Sequence, residues 1–365
     1  LGGIISVDFS TLLFCPSKTE KENRKRNKVF FIKLKYNLIF DSSITSEKSA
    51  TIMNHFYLHL LLLFSIGCQN QIKQKGTKLT LEQANQQISM AETKSVLYTL
   101  AADSMMGRDN KSGGYAKAAA FVASYFKKHK IKPFYPAYRD TLTTNGLMTY
   151  NLVGQLGKYN SNQKSILIGA HLDHIGVSEA AADSIFNGAN DNASGATAVL
   201  QIGRFLAQRQ WNQIVLLALF ADEEKGLLGA YHLAERFKKE GVSVNYMINF
   251  EMIGAKLTSG PNQVFITGFN RSNLAETINN IAPNFVQFSP EAQKFNLFQR
   301  SDNFAFHQVL GSVAQTLSAF DFKNYDYYHK VQDHPEKLDI DNMNKIISTA
   351  AYAISELLEN EVIIK

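Results

Sequence analysis

Cysteine is nearly absent from this 365-residue chain, which contains only Cys15 and Cys68. Both precede the long stretch of periodic sequence that begins near residue 93. If Cys15 is not expressed and Cys68 is acylated, as interpreted below, the folded domain has no thiol and no disulfide. Any metal site in that domain must then be built from His, Asp and Glu.

A strong excess of charge is also absent from most of the chain. Residues 1–52 hold nine Lys or Arg and five Asp or Glu, a net +4, so the rest of the chain carries only +2 of the total +6. The basic character therefore belongs to the first fifty residues, and nucleic acid is not an expected partner.

No apolar run near the start is long enough to cross a membrane. The stretch MNHFYLHLLLLFSIGC, which begins at Met53, has an apolar centre of about a dozen residues, a length typical of a signal peptide. Its end resembles the lipobox of bacterial lipoproteins, although Ser65 stands where Leu is usual and the stretch before the apolar centre has no Lys or Arg. A plain secretory signal and a buried apolar helix are the alternatives.

These features divide the N-terminal part of the chain into three segments. Residues 1–52 are interpreted as a non-native upstream extension, residues 53–67 as a signal peptide and residues 68–92 as a polar, Gln-rich tether. The prediction that follows is an exported protein of the cell envelope, anchored to a membrane by lipid on Cys68.

Strand-like and helical segments alternate from about residue 93. The predicted strands are KSILIGAHL, NQIVLLALFA, YMINFEMI and QVFITGF, and the predicted helices include YAKAAAFVASYFKKHKI, ATAVLQIGRFLAQRQ, GAYHLAERFKKE and MNKIISTAAYAISELLENE. Strands that are apolar throughout and alternate with helices indicate an α/β domain, with a largely parallel central sheet covered on both faces. We expect this domain to span residues 93–365.

Acids and histidines follow several of the predicted strands. In such sheets, functional residues collect at the C-terminal ends of the strands. Taken singly, each of these residues has an ordinary explanation, such as a helix cap or a solvated turn. Together they form a set that chance placement rarely produces: His171, Asp173, Asp191, Glu223, Glu224, Glu251 and His329.

Such a set suits hydrolytic zinc, which is held by imidazole nitrogen and carboxylate oxygen and keeps one position open for water. A pair of zinc ions needs a bridging carboxylate, plus one His and one further carboxylate for each ion. Five residues meet that count, and an acid remains to serve as general base. Asp173, two residues from His171, is close enough to orient its imidazole.

In these residues and their surroundings, the chain resembles the co-catalytic zinc aminopeptidases of metallopeptidase family M28, which also includes glutaminyl cyclases. The matching stretches are AHLDHIG, NGANDNASG, FADEEKGLLGA, INFEMIG, SDNFAF and YHKVQDHPEKLD, in the family's order, together with a Gly-Arg segment in MMGRDNKSGGYAKAAAFVASYF. The resemblance covers roughly residues 93–358. It implies a zinc-aminopeptidase-like catalytic domain that hydrolyses the N-terminal residue from peptides.

The same resemblance assigns roles to individual residues. It places His171 and Glu251 on one zinc ion, Glu224 and His329 on the other, and Asp191 between the two. Glu223 becomes the general base that takes a proton from a metal-activated water.

Three positions depart from the family pattern. Glu251 stands where Asp is usual, Phe298 stands where an oxyanion-stabilising Tyr is placed in better-known members, and Asn303 replaces a frequent His. Two alternatives therefore remain open: single-zinc chemistry like that of glutaminyl cyclases, and a non-catalytic envelope lipoprotein on the same fold.

Overall fold

The computed structural model describes residues 4–13, 30–39, 79–144, 146–157, 163–178 and 184–365. The chain divides into two units, Leu1–Thr77 and Lys78–Lys365. In the first unit, strands β1 (Ile4–Leu13) and β2 (Phe30–Ile39) pair antiparallel. The predicted signal peptide and Cys68 lie outside the described residues, so those assignments stay predictions.

The second unit is built on a nine-stranded mixed sheet. Its strands are β3 (Lys132–Pro133), β4 (Arg139–Thr144), β5 (Leu147–Leu156), β6 (Ser165–His171), β7 (Ile214–Phe220), β8 (Val244–Glu251), β9 (Val264–Ile266), β10 (Val286–Gln287) and β11 (Val313–Ser318). Their order across the sheet is β10-β9-β11-β8-β6-β7-β5-β3, and β4 also pairs with β5.

The centre of the sheet is parallel. Strand β6 pairs parallel with both β7 and β8, and β8 pairs parallel with β11. The β3–β5 edge and the β9–β11 pair are antiparallel. The α/β prediction is thus confirmed. At the antiparallel edge, the strands β3 and β4 are short and polar and carry no continuous apolar run.

Helices cover both faces of the sheet. They are α1 (Leu81–Gln87), α2 (Met90–Leu100), α3 (Gly114–Lys128), α4 (Gly195–Leu206), α5 (Leu228–Glu240), α6 (Leu274–Ile281), α7 (Pro290–Lys294), α8 (Asn303–Leu310) and α9 (Ile340–Glu359). None of the helices in the described residues is both long and apolar enough to cross a membrane.

Strand β7 shows why its sequence is apolar at every position. Val215, Leu217 and Leu219 belong to the core that includes α3, α4 and α9. Leu216 and Phe220 belong to the opposite core, with α5 and α8. Because side chains alternate between the faces of a strand, burial on both faces requires an uninterrupted apolar run.

The segment interpreted as a tether is helical in its described part. Thr80 caps α1 in a reciprocal contact with Gln83, and Ser89 caps α2. Ala84 and Ile88, four residues apart, are fully buried. The Gln-rich composition suggests a linker, but the cap residues and this short apolar spacing favour helices that pack on the domain.

Candidate metal centre and active site

Three neighbouring parallel strands place their terminal residues along one edge of the sheet. His171 is the last residue of β6 and Glu251 is the last residue of β8. His171 lies opposite Phe220, the end of β7, so the acids that follow β7 begin beside it. The chain turns there at Asp222, which has a left-handed backbone with φ of 53°. This turn brings Glu223 and Glu224 to the same edge.

Asp191 approaches from the loop that precedes α4, and a buried arginine holds this loop. Arg108, from the Gly-Arg segment, has no solvent exposure. Its guanidinium donates hydrogen bonds to five backbone carbonyl groups, those of Leu100, Leu172, Asn187, Gly188 and Asp191, at 2.6–3.2 Å. The five donors of the fork are therefore all used. Arg108 joins the end of β6 to the loop that carries Asp191.

A second buried group fixes the same loop from the other side. The Asp333 carboxylate accepts hydrogen bonds from the backbone N–H groups of Asn190 and Asp191, at 2.8 and 3.1 Å. It also accepts one from the Tyr325 hydroxyl. Asp333 lies four residues after His329, so this network connects the Asp191 loop to the loop that carries His329.

The carboxylate of Asp191 faces a different histidine with each oxygen. Its Oδ1 lies 3.4 Å from Nε2 of His171, which is also 3.3 Å from Oε1 of Glu251. Its Oδ2 lies 3.1 Å from Nε2 of His329, which is also 3.1 Å from Oε2 of Glu224. The five residues predicted as ligands therefore form two groups that share one carboxylate.

These separations fit zinc. Tetrahedral coordination with bonds of about 2.0–2.1 Å puts neighbouring ligand atoms about 3.3–3.4 Å apart. The nitrogen-to-oxygen distances in both groups, 3.1–3.4 Å, match that spacing. Glu251, one methylene longer than the usual Asp, is within this range of His171. Its other carboxylate oxygen accepts a hydrogen bond from the Ser301 hydroxyl.

The orientation of His171 leaves its Nε2 available to a metal. Its Nδ1 lies 3.1 Å from the backbone carbonyl oxygen of Asp173. Because a carbonyl only accepts, Nδ1 carries a proton in this contact, and Nε2 is the nitrogen that faces the carboxylates and that a metal ion would bind. The Asp173 carboxylate was expected to make this contact, but its Oδ1 lies 3.8 Å from Nδ1.

The Asp173 carboxylate instead holds the turn of the two glutamates. Its Oδ1 accepts the backbone N–H of Glu223 at 3.0 Å, and its Oδ2 accepts that of Glu224 at 3.3 Å. Glu223 lines the cleft beside the two ligand groups without belonging to either. Glu223 therefore lies in the cleft, outside the ligand groups.

His174 also lies in the metal centre, although the sequence analysis assigned it no role. Its ring is buried, and its Nδ1 lies 2.8 Å from Oε1 of Glu224 and 3.8 Å from Oδ2 of Asp191. His174, Asp191 and Glu224 form a further possible ligand group, which shares Asp191 and Glu224 with the group that contains His329. Its place three residues after His171 is a usable signal, since the loop that leaves a strand end stays near it.

The carboxylates of the metal centre stabilise positive charge on the groups around them. Burial opposes ionisation of Asp191, but hydrogen bonds from His171 and His329 outweigh it and hold the pKa of this carboxyl well below its usual range. Although burial acts against the charged form of His329, Asp191 and Glu224 raise its pKa to about 10. Burial raises the pKa of Glu223 well above its usual range, and Glu251 adds to this effect. A site with this balance suits a bound cation.

Two of the departures from the family pattern have structural explanations. Phe298 is buried, and its ring packs against His307 and beneath the Arg271 guanidinium, so its side chain supplies apolar contact and no hydrogen-bond donor. The Asn303 amide donates to the carbonyl of Phe298 and accepts from the Thr316 hydroxyl. Asn303 therefore supports the wall of the cleft.

Solved structures share this architecture. The Legionella pneumophila aminopeptidase LapA has a TM-score of 0.64 and 18% identity, over 79% of this chain and 77% of that chain. The Porphyromonas gingivalis glutaminyl cyclase has a TM-score of 0.59 and 17% identity, over 73% of this chain and 98% of that chain. At this level of identity, the likeness shows the fold.

Curated relatives match over shorter stretches. A probable zinc metalloprotease of Leptosphaeria maculans is 40% identical over 68 residues, 19% of this chain and 16% of the relative. A probable leucine aminopeptidase of Trichophyton verrucosum is 25% identical over 208 residues, 55% of this chain and 54% of the relative. The chain thus spans about a sixth of the first and about half of the second.

Residues 151–354, more than half of the chain, match the family described as Peptidase family M28. This stretch contains His171, Asp191, Glu224, Glu251 and His329, the residues of the two groups that share the Asp191 carboxylate. The chain belongs to Peptidase family M28.

Proposed function

We propose that this protein is a zinc-dependent aminopeptidase, which removes the N-terminal amino acid from peptides. The observation that carries the proposal is the shared Asp191 carboxylate, with a His and a Glu on each side and Glu223 beside both groups. The matched family and the relatives, a probable zinc metalloprotease and a probable leucine aminopeptidase, support it.

Two zinc ions are proposed for each chain. His171, Glu251 and Asp191 would hold one, and Glu224, His329 and Asp191 the other. Bound zinc supplies Lewis acidity, which polarises a scissile carbonyl and lowers the pKa of water. In this assignment His174 stays a hydrogen-bond partner of Glu224, since one Glu224 oxygen faces His174 and the other faces His329.

Glu223 has the proton-transfer role. A partly buried carboxylate with a raised pKa is a better proton acceptor than an ordinary Glu, and it can later return the proton to the leaving amine. Asp173 keeps the Glu223 backbone in place, and Arg108 and Asp333 keep Asp191 in place. The chain therefore has the groups needed to move a proton at a fixed position.

The test is a hydrolysis panel with the purified chain, with and without zinc. We expect release of the first residue from aminoacyl p-nitroanilides and dipeptides, no release from N-acetylated versions, and about two zinc ions per chain. A glutaminyl peptide in the panel distinguishes the alternative: cyclisation of its first residue with about one zinc per chain would replace this proposal. Zinc binding without turnover of any substrate would favour the non-catalytic alternative.

We also propose that the protein is exported and anchored in the cell envelope by lipid on Cys68. The support is the apolar stretch from Met53 and its lipobox-like end. Expression in a bacterium should give a membrane-associated product, and Cys68→Ala should release it from the membrane. A mature product that still contains residues 53–67 would contradict the proposed cleavage.

A further inference from the structure

The cleft beside the metal centre contains one positively charged side chain that the proposed mechanism does not use. The cleft lies at the ends of β8, β9 and β11. Apart from His329, the charged residues that line it are Asp191, Glu223, Glu224, Glu251 and Arg300. The rest of the lining is apolar or carries hydroxyl groups. Arg300 is therefore the one permanent cation among the described lining residues.

The Arg300 guanidinium has no partner within the described part of the chain. Arg300 is exposed, and its backbone N–H donates to the Leu297 carbonyl, but its side chain makes no hydrogen bond or ion pair there. Although four carboxylates line the same cleft, none of them pairs with it. Arg271, by contrast, lies over the Phe298 ring at 4.3 Å. Arg300 is thus available to a bound molecule.

Arg300 lines the same cleft as the carboxylates of the metal centre, and its neighbour in sequence contacts one of them. It immediately precedes Ser301, whose hydroxyl donates to the Glu251 carboxylate. In the proposed two-zinc state, the four carboxylates balance two divalent ions, and the positive charge of Arg300 has no counterpart. A guanidinium presents a planar fork of donors that matches the two oxygens of a carboxylate.

We propose that Arg300 binds a carboxylate of the substrate and makes the enzyme selective for peptides that carry one close to the scissile bond. This inference rests on the proposed function. Two sources supply the same chemistry: the side chain of an acidic first residue, and the C-terminal carboxylate of a dipeptide. Arg300 is a specificity-determining residue in either case.

The experiment compares matched substrates in the zinc-loaded full chain. One pair is aspartyl and asparaginyl p-nitroanilide, and the other is Leu-Gly and its C-terminal amide. We expect kcat/KM to be about ten- to a hundredfold higher for the carboxylate member of one pair, the range for a hydrogen-bonded charge pair. The pair that shows the preference identifies the source.

Three variants test the residue itself. Arg300→Gln should remove the preference and leave the neutral substrates within about twofold, while Arg300→Lys should keep part of it. Arg209→Gln removes one positive charge from a residue that does not line the cleft, and it should change nothing. No preference in the original chain, or the same preference in Arg300→Gln, would overturn the proposal.

A binding measurement separates this proposal from the proposed function. Calorimetric titration of the Glu223→Gln variant with the same four compounds reads the preference without turnover. If the original chain hydrolyses none of them, the aminopeptidase proposal fails, and the titration still decides the role of Arg300. Equal affinity for both members of each pair would contradict the proposed role of Arg300. Tighter binding of a carboxylate member would support this role if a further Arg300→Gln substitution abolishes the difference.

Discussion

The carboxylate of Asp173 accepts a hydrogen bond from the backbone N–H of Glu223, at 3.0 Å. Asp173, which lies two positions after the candidate ligand His171, therefore fixes the turn after β7. The same residue orients the His171 ring through its backbone carbonyl. Main chain and side chain of Asp173 thus have different partners, and a substitution of the side chain separates them.

Asp173→Asn should reduce turnover and leave the zinc content near normal. The amide keeps one acceptor oxygen but turns a donor group toward the Glu224 N–H, so the glutamate turn shifts, while the backbone contact with His171 is unchanged. A small displacement of a catalytic group costs about ten- to a hundredfold in kcat. Metal analysis and kcat measured on the same sample check this, and a zinc loss that parallels the loss of kcat would contradict it.

Asp191→Ala should remove both zinc ions, because the Asp191 carboxylate faces both His171 and His329. Part of the free energy of metal binding is also free energy of folding, so the melting temperature should fall as well. Asp341→Ala is the matched control, since this acid lies on α9 and pairs with Lys345. Full zinc content in Asp191→Ala would show that the bridging assignment is wrong.

Much of the fold could be predicted because burial on both faces leaves a clear pattern. The runs SILIGAH and IVLLALF have no polar interruption before their ends, and they form β6 and β7 as predicted. The short antiparallel strands β3 and β4 have few apolar residues, and their pairing with β5 depends on contacts distant in sequence. Local periodicity contains no information about such contacts.

His171, Glu224 and Glu251 could be proposed from their places at or just after strand ends, and Asp191 and His329 from the family motifs, but the supports of these residues could not be predicted. Arg108 precedes the carbonyl groups of Asn187 and Gly188 by about eighty positions, and only the folded chain brings them together. The same holds for Asp333 and the N–H of Asp191. Likewise, a sequence does not show that Arg300 lines the cleft without a partner.

Arg108→Met should strongly destabilise the domain. Removing the guanidinium takes a hydrogen bond from each of five carbonyl groups, of which that of Gly188 keeps a second donor in the Ala193 N–H, and several hydrogen bonds to a charged group are lost together. We expect the free energy of unfolding to fall by at least about 3 kcal/mol. Denaturant unfolding checks this, with Arg209→Met as the control for loss of an arginine elsewhere. An unchanged midpoint would contradict a structural role for Arg108.

The zinc-free protein should lose stability as pH rises above neutrality. Because Asp191 and Glu224 raise the pKa of His329 from 6.5 to about 10, the protonated ring stabilises the fold fully below about pH 6.5, and this contribution disappears as pH rises through about 10. After treatment with a chelator, the melting temperature of the original chain should be higher than that of His329→Gln at pH 6, and the two melting temperatures should converge above pH 10. A difference that grows with pH would contradict this assignment.

The last prediction separates Glu223 from Glu224, which are adjacent and chemically identical. Glu223 lines the cleft outside both ligand groups, so Glu223→Gln should keep zinc and substrate binding while kcat falls by about a hundred- to ten-thousandfold, the usual contribution of a general base. Glu224 is 3.1 Å from His329 and 2.8 Å from His174, so Glu224→Gln should lose metal together with activity, and excess zinc should restore part of both. Zinc per chain and kcat, measured side by side in the two variants, are the decisive quantities. Equal metal loss in both variants would place Glu223 among the ligands, and full activity of Glu223→Gln would remove it from the mechanism.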